Sequence, residues 1–155
     1  MISLIAGYTF VISRSESEQL DNRTLVKGDT IKIFKNVDFS KGAWSVYINL
    51  SRNDFGNLSP FIKKVSCLKT SDIRVLEKMK SQWNFVYKEA DMATVESTIY
   101  VLNNNKLVFK SGIVLDKDRQ GIQNSTRGWM EVTEPGVLGE TCKDFKKVYW
   151  PIIFL

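Results

Sequence analysis

Two apolar runs, TIYVL at 98–102 and KLVFKS at 106–111, are separated only by Asn103, Asn104 and Asn105. Asparagine is among the few non-glycine residues that enter the left-handed backbone region at low cost. The two-residue turns that match the twist of antiparallel strands need positive φ at both central residues. The stretch therefore predicts a hairpin with Asn104 and Asn105 as its turn. Regular pairing from that turn sets Leu102 opposite Leu107, Tyr100 opposite Phe109 and Thr98 opposite Ser111, leaving Ile99, Val101 and Val108 on the other face. Both faces are largely apolar, so the ribbon is expected inside a sheet covered on both sides rather than on a surface.

Other segments read in the same way. Trp44, Val46, Ile48 and Leu50 alternate strictly with Ser45, Tyr47, Asn49 and Ser51, as in a half-buried strand. Residues 2–12 alternate more loosely. Residues 30–35 (TIKIFK) form a short strand pattern after the Lys27-Gly28-Asp29 turn. The chain ends in VYWPIIFL, where Pro151 lacks a ladder donor and points to an edge strand or a bulge.

Helical periodicity is confined to the middle. Val75, Leu76, Met79 and Trp83 fall on one side of a helix and Arg74, Glu77, Lys78 and Ser81 on the other, with Ser71 as N-cap. Trp83, Phe85 and Tyr87 then alternate, so the helix passes into a strand near Asn84. Ser59-Pro60 also has the form of a helix start, followed by Phe61, Val65 and Leu68 at helical spacing, with a short strand over 64–68 as the alternative. Glu134-Pro135-Gly136 marks a turn, and 139–147 is weakly helical or irregular. The expected architecture is α+β, a mostly antiparallel sheet of about seven to eight strands with one or two helices packed on it. Residues 1–155 form a single globular domain in this reading.

Composition removes several kinds of chemistry. The 155 residues contain no histidine, which excludes Ser-His and Cys-His nucleophile pairs and the common transition-metal sites. Cys67 and Cys142 are far apart and read as two buried thiols, with a disulfide in an oxidising compartment as the alternative. Apolar runs are too short to span a bilayer, and the opening MISLIAGYTFVIS lacks a basic stretch and a small-residue cleavage site. The expected location is cytoplasmic, or periplasmic or secreted if a leader precedes this stretch. Asp116, Asp118, Gln120 and Gly121 imitate the first half of a calcium loop. Its closing position is Arg127, where a bidentate glutamate is needed, so neither a metal nor any other cofactor is expected.

Three functional readings follow. The segment 116–128 (DKDRQGIQNSTRG) reads as a long polar loop between sheet strands, a common place for recognition. Arg119, Gln123, Asn124 and Arg127 would line it, Trp129 would anchor its base, and the partner would be an acidic or polar protein surface. The plainer reading is a solvated loop with Trp129 in the core.

The second reading uses the basic excess over 63–80. Lys63, Lys64, Arg74 and Lys78 would meet nucleic-acid phosphates and Trp83 or Tyr87 would stack, although the helical pattern turns Trp83 away from the basic face. More often such a run is a solvated helix face. The third is a carboxylate-dependent hydrolase, with Glu131 and Glu134 or Asp116 and Asp118 as the pair. In profile (one domain, no catalytic set, a polar candidate binding loop) the chain is similar to small bacterial immunity proteins that neutralise toxins. That resemblance implies a non-enzymatic inhibitor. A net charge of +5 implies an acidic or non-nuclease target.

Overall fold

A computed structural model describes residues 10–12, 24–90, 95–124, 128–149 and 152–154. Nine strands form the main sheet: β2 (Thr30–Lys32), β3 (Trp44–Asn49), β4 (Cys67–Thr70), β5 (Asn84–Tyr87), β6 (Thr98–Asn103), β7 (Lys106–Leu115), β8 (Gln120–Asn124), β9 (Gly128–Val132) and β10 (Lys146–Lys147). Their spatial order is β10-β4-β3-β6-β7-β8-β9-β5-β2, and every neighbouring pair is antiparallel. A separate parallel pair joins β1 (Phe10–Ile12) to β11 (Ile152–Phe154). Among the described residues the two α-helices are α1 (Ile73–Gln82) and α2 (Val137–Cys142). The architecture is α+β as expected, with nine strands in the sheet rather than seven to eight. Among the described residues no helix is long and apolar enough to cross a membrane.

The central ribbon forms with the expected turn, Asn104 and Asn105 having φ of 50° and 61°. Its register departs from expectation two residues beyond. Leu102 faces Leu107, but Val101 faces Phe109 and Tyr100 faces Lys110, with a bulge that leaves Val108 without a counterpart. The reason is burial. Ile99, Val101 and Phe109 belong to the main core, while Tyr100, Leu102 and Leu107 form a second buried cluster with Tyr47. Leu107 and Phe109 have the same parity and could not reach opposite faces of a regular strand. One extra residue between them lets both be buried. Lys110 then lies 5.7 Å from the Tyr100 ring centroid, where its charge meets the aromatic face.

Three other expectations are corrected. Ser59-Pro60 starts no helix. A single turn closes there (Ile62 N to Ser59 O, 2.9 Å), the Ser59 N–H donates to Leu115 O (2.9 Å), and the chain then extends into β4. Pairing Cys67–Thr70 along β3 buries Cys67 and Leu68 fully, which a short exposed helix could not. The N-cap of α1 is Asp72, not Ser71, its side chain accepting from Arg74 N at 2.9 Å. The segment 116–128 is not one loop: Gln120–Asn124 is a full strand between β7 and β9.

Helix α1 buries Val75, Leu76 and Met79, and Trp83 just beyond it is 1% exposed. Burial of each such side chain contributes roughly 1.5–3 kcal/mol. Arg74 and Glu77 are exposed and Lys78 is half-buried. Around Trp83 the core is aromatic, with Phe34 6.1 Å from it and Phe39 and Phe109 at 5.9 and 6.3 Å from Phe34. Cys67 and Cys142 are both buried free thiols, and burial raises their pKa, that of Cys67 to about 12. Of the strand expected over residues 2–12, only Phe10–Ile12 lies within the described residues, and Pro151 lies outside them.

Candidate functional site

Strand β8 begins at Gln120, and its alternation decides what surrounds it. Gln120 and Ile122 turn inward, to 3% and 1% exposure. The N-cap position of α2 is Gly136, which offers no side chain to cap the helix. Gln120 supplies the missing acceptor from a distant strand: its Oε1 accepts from Leu138 N at 3.1 Å and Gly139 N at 3.3 Å. Its Nε2 donates to Asp116 O at 3.3 Å. This geometry is incompatible with the calcium-like reading, which needs Gln120 to face the same centre as Asp116 and Asp118. Among the described residues no group of acidic, cysteine or histidine side chains is arranged to hold a metal.

Gly121 lies on the opposite face, where Trp129 crosses it. A Cβ at Gly121 would stand 2.5 Å from Trp129 Cη2 and 2.7 Å from Cζ2, so the glycine is what lets the indole lie flat on the strand. Trp129 is fully buried and its Nε1 has no hydrogen-bond partner. Arg119, the last residue of the preceding turn, places its guanidinium 5.2 Å from the Trp129 ring centroid. The Arg119 side chain remains 48% exposed, and its Nε is 3.8 Å from Glu131 Oε1. That gap is beyond hydrogen-bond reach. Lys88 holds the same carboxylate more closely, Nζ to Oε2 at 3.0 Å. Val86 and Glu131 are cross-strand partners on this face, and Phe85 and Val132 form the neighbouring pair toward the core.

These groups border a cleft of about 340 Å³ where β5, β8 and β9 meet the turn into α2. Lys88, Lys117 and Arg119 line it together with Asp118 and Glu131, and Val86 and Pro135 provide apolar wall. Lys117 and Asp118 are exposed and 4.0 Å apart, too far and too solvated to neutralise each other. Asp116 behind the turn has its pKa raised by partial burial and by the nearby Asp54 and Asp118 carboxylates.

Of the residues expected to bind a partner, the structure brings Arg119 and Trp129 together and sets Arg119 on the cleft. Trp129, fully buried on the face of the sheet that carries Gly121 and Glu131, supports it instead of contacting solvent. Gln123 is half-buried in β8 and pairs directly with Trp129 in the sheet. Arg127 and the side chain of Asn124 lie outside the described residues. Lys88 and Lys117 were not singled out from the sequence. Lys117 belonged to the same charged turn, whereas nothing local links Lys88 to Arg119. Glu131 is engaged by Lys88 and Arg119, and Glu134 and Asp118 are exposed.

The basic segment is dispersed. Lys63 Nζ donates to Lys143 O (2.8 Å) and Phe145 O (2.5 Å), and Lys80 Nζ to Val37 O (2.6 Å). Arg74 pairs with Asp72 at 2.8 Å, and the hydrogen bond from its side chain brings the Asp72 pKa down to about 2. Lys64 is exposed, and Trp83 is in the core. A second cleft, of about 500 Å³ beside Phe39, Trp44 and Ile73, has Lys69 on its lining, but that cation is drawn to the Tyr47 ring at 4.8 Å. Comparison of the chain with protein-family models, curated proteins and solved structures returns no match.

Proposed function

We propose that this chain is a non-enzymatic protein-binding module whose recognition surface is the cleft edged by Lys88, Lys117 and Arg119. The observation that carries the reading is Arg119: a half-exposed guanidinium over a fully buried tryptophan, with its nearest carboxylate, Glu131, at 3.8 Å and held more closely by Lys88. An arginine held on an aromatic ring loses little conformational freedom on binding, which favours it as an interface anchor. Lys88 and Lys117 add steering toward an acidic surface. An inhibitor or immunity protein, acting by occupying its target, is the narrower form of this proposal. The nucleic-acid reading has less support, because Lys63, Arg74 and Lys80 are bonded within the chain and Trp83 cannot stack.

The test uses the full chain and a Lys117→Ala/Arg119→Ala double variant as baits in lysate of the source cells. A protein retained by the parent and released by the double variant, with the melting temperature nearly unchanged, is the expected result. Loss of the exposed pair and the ring contact costs about 1 kcal/mol or less. Equal retention by both baits would overturn the assignment. So would retention of random DNA with a steep salt dependence, which signals phosphate contacts.

A further inference from the structure

Resting on that reading, the geometry points to a specific occupant: we infer that the cleft receives one glutamate or aspartate side chain from the partner, its carboxylate on Arg119 and Lys117. Charge sets the count. Three cations, Lys88, Lys117 and Arg119, face two carboxylates, Asp118 and Glu131, a surplus of one positive charge. The contacts set the place. Lys88 holds Glu131 at 3.0 Å whereas Arg119 stands off at 3.8 Å, so Arg119 can turn to an incoming carboxylate without stranding Glu131. The ring of Trp129 beneath fixes the plane of the guanidinium during that exchange.

Size and wall chemistry agree with a side chain. About 340 Å³ is small for a ligand site and suits one side chain with its flanking backbone, and Val86 and Pro135 offer apolar surface to a hydrocarbon stem. A chain-terminal carboxylate or a phosphate is captured typically by converging backbone N–H groups. The N–H groups at the start of α2, Leu138 N and Gly139 N, are already bonded to Gln120 Oε1. What the cleft presents is side-chain cations, with one charge to spare.

The experiment follows backbone amides and Arg119 Nε by heteronuclear NMR in the labelled full chain. Four probes are titrated: a short acetylated and amidated peptide with one central glutamate, its glutamine counterpart, the glutamine peptide with a free terminal carboxylate, and inorganic phosphate. The glutamate peptide is expected to give saturable shifts around residues 117–120 and at Lys88. Its affinity should exceed that of the glutamine peptide by about tenfold, equivalent to one favourable charge contact. Arg119→Ala should abolish the difference, as should about 0.5 M salt. Asp118→Asn, which removes a competing carboxylate, should tighten it. Equal shifts from the glutamine peptide would overturn the inference, as would tighter binding of the free terminus or of phosphate. If Arg119 governs partner capture but no glutamate peptide binds, the inference falls and the binding-module reading stands. If the glutamate peptide binds but partner capture ignores Arg119, the reading falls and the carboxylate site stands.

Discussion

Strand β7 is closed by a tight connection at each end, and the two connections are built on different principles. At the Lys106 end the turn is local. Asn104 and Asn105 adopt positive φ themselves, and Asn104 is steadied by exchange with Ala43: Ala43 N donates to its Oδ1 and Asn104 N to Ala43 O, both at 2.9 Å. At the Leu115 end, residues 116–119 are held by distant elements. Lys117 N donates to Asn57 O (2.8 Å), Ser59 N to Leu115 O (2.9 Å), and Asp116 bridges to Leu58. Gln120 fastens the strand to α2, and Trp129 lies across Gly121. The first connection states its conformation in two residues. The second is folded by what surrounds it, and the surroundings place Arg119 on a cleft.

The largest effect should come from closing the space that the second connection depends on. Gly121→Ala puts a methyl group into the Trp129 ring and against the Met130 carbonyl, and neither is free to move away. A destabilisation of about 3 kcal/mol is expected in chemical denaturation, the upper part of the usual overpacking range. A cost under about 1 kcal/mol would mean that Trp129 is loosely seated and cannot support Arg119 as described.

Next comes Gln120→Leu, which keeps bulk but leaves Leu138 N and Gly139 N buried without an acceptor. About 2 kcal/mol is expected, together with faster hydrogen exchange at the start of α2. If exchange there is unaltered, α2 stands without Gln120, and the second connection does not depend on that distant cap.

The same contrast explains what was legible in the sequence. The alternation of β3 and the apolar stripe of α1 repeat over several residues, so the pattern outweighs any single environment; both elements and the passage into β5 were readable. Asn104-Asn105 was readable because the φ preference belongs to the residues. The bulge at Val108 was not, since it follows from Leu107 and Phe109 being claimed by cores on opposite faces, a circumstance set by distant elements. Ser59-Pro60 carried a good helix-start signal, overridden because β3 needed a partner at its edge. In the candidate site, polarity drew attention to residues 116–128 but hid β8. Gln120 and Gln123 look like loop residues until one is seen to cap a helix and the other to lie in a ladder. Lys88 reaches the site by β5 pairing with β9, which no local pattern states.

At the local end of β7, Asn104→Ala should cost about 1 kcal/mol, because alanine pays for positive φ and the acceptor for Ala43 N is lost. Asn104→Gly should cost less, since glycine keeps the conformation freely. If both variants melt alike, the Ala43 exchange dominates over φ, and this connection too is tertiary in origin.

The smallest effect has the opposite sign and probes the charge buried behind the second connection. Asp116 has a raised pKa because of partial burial first, then the Asp54 and Asp118 carboxylates. A carboxyl whose folded pKa exceeds its unfolded one binds its proton more tightly when folded. Ionisation therefore opposes folding: the penalty is absent below the unfolded pKa, grows as pH rises through the interval between the two values, and is constant above the folded one. Asp116→Asn removes it. The melting temperature of this variant should lie slightly above that of the parent at neutral pH, and the gain should vanish below about pH 3, where the parent carboxyl is protonated in both states. A variant less stable than the parent at neutral pH would show that the Asp116 carboxylate makes a favourable contact within the turn. The local sequence would then contribute at this end of β7 as it does at the other.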